Sequence, residues 1–298
     1  MNDMVSIIIP THKGYENLSR AVDSCLNQTY KNIEIFVVDD NGRGTEAQCK
    51  TQSVMEKYSE LENVNYLIHE ENKNGSAARN TGARASSGEF IAFLDDDDEY
   101  LPQNIENHIK KFEYLDESYG ITYCAKNLIH GNGKEETIIP RYEGDLLYDF
   151  MCGKIRMGSS FIMVKRGVYD EVAGFDESFR RHQDWEFIVR ILVRYKAGAV
   201  KDVGLNKYLL SRNKAKNPEQ FEKNRLYYLD KLEFIIQSFD EKKQTEIYDS
   251  HYFQIGKEYF KAKKFKLSIV WAKKTSKPVK YTLRYFKDGL AFLIRKIK

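Results

Sequence analysis

No stretch of this 298-residue chain approaches the roughly 18 apolar residues in a row that a membrane-spanning helix needs. The first four residues carry no basic charge, and the apolar run behind them, Val5–Ile9, is too short for a signal peptide. A cytoplasmic location is therefore expected. Cysteine is scarce: Cys25, Cys49, Cys124 and Cys152 lie far apart with no C-x-x-C pair, which excludes a disulfide framework and suits reduced thiols. Charge is nearly balanced, 47 basic residues against 44 acidic for a net +3, so nothing in it points to a nucleic-acid partner. The six histidines show no metal-ligand spacing, and Gly75-Ser-Ala-Ala-Arg-Asn lacks the G-K-[ST] of a phosphate-binding P-loop.

What the chain has is alternation. Short, continuously apolar strands are predicted at Val5–Ile9, Ile33–Val38, Val64–Ile68 and Phe90–Leu94. Between them, helical spacing covers Asn17–Asn27, Thr45–Tyr58 and Ser76–Ala85, and a further helix follows Pro102 as far as about Tyr114. That pattern marks a parallel sheet covered on both faces, an α/β fold. From Gly120 to Leu210 it becomes mixed, with strands expected at Ile121–Ala125, Ser160–Val164 and Lys207–Leu210 and a helix at Asp184–Tyr195. Beyond Asn213 everything reads helical. The expected organisation is one domain over 1–213, with halves at 1–100 and 101–213, and a helical extension over 214–298.

Ligands in open α/β sheets sit beyond the carboxyl ends of the strands, so the residues found there matter most. The first strand runs into Pro10-Thr11-His12, the second into Asp39-Asp40-Asn41-Gly42, and the fourth into Asp95-Asp96-Asp97-Asp98 followed by Glu99. Asp-Asn-Gly also makes a turn. The aspartate run could be a solvated loop, or its mutual repulsion could be relieved by a cation. Carboxylate oxygens without cysteine suit Mg²⁺ or Mn²⁺. Asp184 falls in the first turn of its helix, where the dipole is expected to lower its pKa. There it serves either as a stabilising terminal acid or as a general base.

Taken in order, Val5-Ser-Ile-Ile-Ile-Pro-Thr, Leu26-Asn-Gln-Thr-Tyr, Val37-Val-Asp-Asp, Ala78-Arg-Asn-Thr-Gly and Ser87-Gly-Glu-Phe-Ile-Ala-Phe-Leu-Asp-x-Asp-Asp form a recognisable set. Gly174-Phe-Asp-Glu-Ser-Phe and Gln183-Asp-Trp-Glu-Phe follow at plausible spacing. The set, spanning roughly Val5 to Leu210, resembles glycosyltransferase family 2. The resemblance implies a GT-A fold in which a nucleotide-binding half joins an acceptor-binding half. It further implies that Pro10, Thr11, His12, Asp40 and Arg79 hold base and ribose. Asp95 and Asp96 would lie near ribose and diphosphate, Asp97 with Asp95 at the metal, and Asp184 in the place of the catalytic base. The implied reaction is inverting transfer of one sugar from a nucleotide diphosphate-sugar, a UDP-sugar by preference. The acceptor would be a saccharide or lipid-linked saccharide, as in surface polysaccharide synthesis.

Two departures from the family pattern stand out. The histidine that often completes the metal site has no counterpart in Leu210-Ser-Arg-Asn-Lys-Ala-Lys, where Arg212 or Lys214 could meet phosphate instead. The Q-x-x-R-W of processive synthases is also missing. The alternatives are an inactive partner of an assembly complex that keeps the fold, or a sugar nucleotidyltransferase. The latter needs a Gly-rich basic loop that Pro10-Thr-His-Lys-Gly-Tyr does not supply. Finally, Leu283, Phe286, Leu290, Leu293 and Ile297 form a stripe beside Arg284, Lys287, Arg295, Lys296 and Lys298. Such a helix either rests on an anionic membrane surface or packs with a solvated basic face.

Overall fold

The computed structural model describes residues 3–209 and 217–297, with side chains as far as residue 287. Residues 210–216, with Arg212 and Lys214, lie outside the described residues, as do the side chains of Leu290, Leu293, Arg295, Lys296, Ile297 and Lys298. Two compact units divide the chain: Met1–Leu146 with Met157–Ser211, and Leu147–Arg156 with Arg212–Lys298. Leu147–Arg156, which the sequence places in the acceptor-binding half, thus groups with the helical unit.

The first unit is built on a nine-stranded sheet. Its strands are β1 (Val5–Thr11), β2 (Ile33–Asp39), β3 (Val64–Ile68), β4 (Phe90–Phe93), β5 (Asp98–Tyr100), β6 (Tyr119–His130), β7 (Glu135–Ile138), β8 (Ile162–Lys165) and β9 (Lys196–Leu209). They run in the order β3-β2-β1-β4-β8-β6-β9-β5, with β7 beside β6. The first four strands are mutually parallel, and β8 joins β4 antiparallel, so the sheet is parallel on one side and mixed on the other. Ile7, Ile8, Ile9, Ile35, Val37 and Ile91 are wholly buried, as strands covered on both faces require.

Helices α1 (Tyr15–Leu26), α2 (Glu46–Met55), α3 (Gly75–Ala85) and α4 (Asn104–Glu113) follow the parallel strands. Gln28, fully buried, ties the end of α1 to the next crossover: its amide donates to the Ser24 and Leu101 carbonyls and accepts the Ile105 N–H. Register then sets the site. Thr11 pairs with Asp39, which brings the ends of β1 and β2 level, while β4 stops at Phe93 opposite Ile8 and its aspartates carry on to meet Thr11.

The mixed side departs most from the sequence expectation. The predicted strand at Lys207–Leu210 is only the end of the 14-residue β9, and β5 emerges from the last aspartate of the acid run. Asp98 has weak strand propensity; its pairing with Lys207 across β5 and β9 overrides it.

In the second unit, α5 (Leu147–Met151) accompanies α8 (Pro218–Lys231), α9 (Glu233–Gln237), α10 (Glu241–Lys261), α11 (Phe265–Lys273) and α12 (Pro278–Ile297). The remaining helices, α6 (Arg166–Glu171) and α7 (Gln183–Leu192), belong to the first unit. Aromatic rings fill the second unit: Phe253 stacks on Tyr285, and Tyr259 and Trp271 share a cluster with Ile255. No helix among the described residues is long and apolar enough to cross a membrane.

Candidate active site

At the end of β2 both aspartates are buried and committed to internal partners. Asp39 accepts from the Asn41 N–H and amide and from the Tyr66 hydroxyl, the last at 2.6 Å. Asp40 faces His69 Nδ1 at 2.7 Å and accepts from the Asn72 amide and the N–H groups of Lys73 and Asn74 at 2.8–2.9 Å. Its carboxylate thereby folds the loop before α3, and Asn74 in turn caps that helix through the Ser76 and Ala77 N–H groups. A nucleotide base, which the family resemblance sets against Asp40, would have to share oxygens that already hold protein donors.

The aspartate run at the end of β4 splits by side-chain direction. Thr11 Oγ1 donates to Asp96 Oδ2 at 2.7 Å, which draws Asp96 onto the end of β1. A Cβ on Gly14 would stand 1.7 Å from that same oxygen. Glycine is what lets the carboxylate rest against the N-terminus of α1, where backbone N–H groups favour negative charge. Asp95 turns the other way, to Arg79 Nη2 at 2.6 Å and to the Ser159 hydroxyl at 3.2 Å. Asp98 is wholly buried; Lys207 Nζ lies 2.6 Å from its Oδ2 and 3.6 Å from Asp95 Oδ2. Burial by itself would raise the Asp95 carboxyl, but Arg79 and Lys207 outweigh it and hold it well below the usual carboxylate range. Burial pushes Asp98 up to about 6 even though Lys207 pulls it down.

Arg79 is the hub of this edge. From α3 it bonds the Gly75 carbonyl, Asp95, Ser159 Oγ and, at 3.2 Å, Gln183 Oε1 in the first turn of α7. Its guanidinium lies over Phe175, which stacks on Phe187 at 4.1 Å, so an aromatic floor fixes its height. Asp184 is therefore beside the acid run, close enough to feel the charges of Arg79 and Asp95. It accepts the Trp185 N–H at 3.0 Å.

The expected lowering of its pKa by the helix dipole is overturned. Burial dominates, Asp95 adds to it, and the carboxyl stands above its usual value despite Arg79 and the Trp185 N–H. His182, just before α7, is held at φ 60°, a left-handed conformation rare outside glycine and asparagine.

Of the remaining sequence candidates, Pro10 lies in β1 opposite Val38, and His12 is exposed in the following loop. Asp97 is partly exposed, and its carbonyl accepts from Arg20 Nη2 at 2.7 Å. Ser159 belongs to Met157-Gly-Ser-Ser, which from the sequence either faces the acceptor or begins a core strand. Gly14, Gln183 and Lys207 were not singled out from the sequence: only the Q-D-W run hinted at Gln183, Lys207 owes its position to the pairing of β5 with β9, and Gly14 to the approach of Asp96.

Asp95, Asp97 and Asp98 each present an oxygen within 4.8 Å of the others. Asp98 Oδ1 is buried without a hydrogen-bond partner. Three hard oxygen donors, one of them orphaned, fit Mg²⁺ or Mn²⁺. Asp98 stands here as a third candidate ligand beside the Asp97 and Asp95 named from sequence.

The profile described as "Glycosyl transferase family 2" matches residues 6–172. The chain is 30% identical over 239 residues to amylovoran biosynthesis glycosyltransferase AmsB of Erwinia amylovora, covering 76% of this chain and 77% of that protein. An uncharacterized glycosyltransferase of Rickettsia felis is 32% identical over 63% of the chain, which spans only 31% of that longer protein.

Two solved structures share the fold. Mannosyltransferase PcManGT of Pyrobaculum calidifontis, in complex with GDP-Man and Mn²⁺, gives a TM-score of 0.63 at 16% identity, over 98% of this chain and 81% of its own. S. aureus TarS 1–349 with UDP-GlcNAc gives 0.61 at 15% identity, over 87% and 73%. The sheet is thus of the GT-A type, with Thr11, Asp40 and Asp95 at or just past its strand ends and Arg79 on α3. With the profile spanning more than half its length, the chain belongs to glycosyl transferase family 2.

Proposed function

We propose that the protein transfers a single sugar from a nucleotide diphosphate-sugar, UDP-linked by preference, to an acceptor hydroxyl with inversion at the anomeric carbon. The observation that carries this reading is the Arg79 hub, which bonds Asp95 and also Gln183, the neighbour of Asp184. Donor binding is assigned to Pro10, Thr11, His12, Asp40, Arg79, Asp95 and Asp96, with Asp40 acting through the loop folded around it. Asp95, Asp97 and Asp98 would hold Mn²⁺ or Mg²⁺, which when bound offsets the negative charge gathering on the diphosphate.

Asp184 is the base. A carboxyl raised above its usual value is better matched to removing a hydroxyl proton near neutral pH than an ordinary one. Gly158, whose added Cβ would stand 3.1 Å from Asp184 Oδ2, leaves that oxygen room for the acceptor hydroxyl. Asp184→Asn should lower transfer by roughly 10²–10⁴-fold, the usual worth of a general base, while donor-induced thermal stabilisation persists. Undiminished transfer by this variant rules out the assignment.

The likeness to an amylovoran biosynthesis enzyme supports an acceptor in surface polysaccharide assembly, saccharide or lipid-linked. On α12, Val279, Leu283 and Phe286 are 72%, 65% and 55% exposed beside the exposed Lys280, Arg284 and Lys287. This face is assigned to an anionic membrane surface. Sedimentation with anionic but not neutral liposomes at low salt tests it, and equal behaviour with both rejects it.

A further inference from the structure

The acid cluster already contains a cation of its own. Lys207 reaches it from β9, and the Asp98–Lys207 pairing of β5 with β9 fixes the approach. The flanking residues point the other way and are pinned there. Asn206 Nδ2 and the Tyr208 hydroxyl both donate to Glu99, at 3.0 and 2.7 Å, while Arg20 covers the Tyr208 ring. Strand alternation therefore commits Lys207 to the acid side. Two of the three carboxylates that a divalent ion would use are thus faced by an ammonium at 2.6 and 3.6 Å.

We propose that Lys207 is a resident counter-ion of this cluster, and that a divalent cation binds there only by displacing the Lys207 ammonium from Asp98 and Asp95. This role presupposes the cation position assigned above. An ion held by those carboxylates, on Asp98 through the unpartnered Oδ1, and an ammonium held on Oδ2 of the same groups repel each other at close range, where little water lies between them to screen the charge. Arg79 does not yield, because it is held at Gly75, Ser159 and Gln183 as well as at Asp95. Lys207 can, because its side chain is 30% exposed on a flexible stem while Asp98 is sealed at 0%. Before the ion arrives, Lys207 keeps a wholly buried carboxylate from standing uncompensated.

The test needs no turnover. Mn²⁺ is titrated into nucleotide-free protein and the free ion read by electron paramagnetic resonance, for the wild type, Lys207→Met and Lys207→Arg. Removing the competing charge in Lys207→Met should tighten Mn²⁺ binding on the order of tenfold, and Lys207→Arg should bind as weakly as the wild type. In the wild type, acetylation of the Lys207 amine, mapped by peptide mass spectrometry, should accelerate severalfold in Mn²⁺. That measurement decides the matter if Lys207→Met does not fold. Equal, measurable Mn²⁺ affinity in all three proteins with unchanged Lys207 acetylation overturns the role of Lys207 and leaves the cation position standing. No Mn²⁺ binding in any of them overturns both.

Discussion

The two units of this chain bury different things. The first encloses charge: Asp39, Asp40, Arg79 and Asp98 are all at or below 8% exposure, gathered where parallel strands end. The second encloses rings, with Phe253 on Tyr285, Tyr252 against Trp271, and Glu222 receiving both the Tyr259 hydroxyl and the Trp271 N–H. Buried charge is seldom the cheapest way to stabilise a fold, since apolar residues of similar volume often serve as well or better. The second unit buries Arg225 and Asp249 as well, but singly, against His251 and Ser276; among the described residues, the gathering of Asp95 and Asp98 about Arg79 and Lys207 is what sets the first unit apart.

The contrast can be broken most forcefully at Arg79. Arg79→Met would leave Asp95, whose side chain is 30% exposed, without its nearest cation, and should cost the first unit about 3 kcal/mol. The two tryptophans make this readable unit by unit, because Trp185 lies in α7 and Trp271 in α11. In single-tryptophan backgrounds, the denaturant midpoint reported by Trp185 should fall while that of Trp271 holds. A fall in both would show that the units unfold as one.

A matched pair of glycines sharpens the comparison with a smaller effect. An added Cβ would lie 1.7 Å from Asp96 Oδ2 at Gly14 and 2.1 Å from the Tyr285 hydroxyl at Gly256. Both alanine variants should lose about 1–3 kcal/mol through overpacking. Only Gly14→Ala should also lose the thermal stabilisation given by UDP with Mn²⁺, because only there does the intruding atom dislodge a carboxylate from Thr11. Donor stabilisation lost equally in Gly256→Ala would erase the division of labour.

Much of the charged edge could be read directly from the chain. Strands β1 to β4 are apolar without interruption, so their ends, and with them Thr11, Asp40 and the aspartate run, could be placed by pattern alone. Arg79 and Asp184 were named through motif resemblance, yet the bond from Arg79 to Gln183, the neighbour of Asp184, needs the fold to close. Lys207 was invisible because β9 interleaves lysines and glycines with its apolar residues and has no clean period. Gly14 looked like loop punctuation, since only the approach of Asp96, 82 positions on, gives it meaning. The grouping of Leu147–Arg156 with the helices was hidden for a similar reason: its tie is the Met151 carbonyl, which accepts from His251 Nε2 a hundred residues away.

That tie yields the gentlest of the predictions near neutral pH. His251 Nε2 donates to Met151 at 2.9 Å while Nδ1 receives Arg225 Nη1 at 3.2 Å, so the ring is neutral with both nitrogens in use. Burial, assisted by Arg225, pushes its pKa down to about 3. His108, in the first unit, is likewise pushed down to about 3 by burial, its Nδ1 2.8 Å from Thr122 Oγ1. An unfolded chain takes up these protons near pH 6.5, and the native chain does not until pH is close to 3. Each histidine's contribution to stability is thus intact above about 6.5 and declines by about 1.4 kcal/mol per pH unit below it, until the native group titrates. At pH 5.5 the loss is about 1.4 kcal/mol in each unit. His251→Gln should flatten the acid slope reported by Trp271 and leave that of Trp185, which depends on His108, as it was. A Trp271 slope that stays as steep without the imidazole would mean that some other group, not the one wedged between Arg225 and Met151, makes the helical unit sensitive to acid.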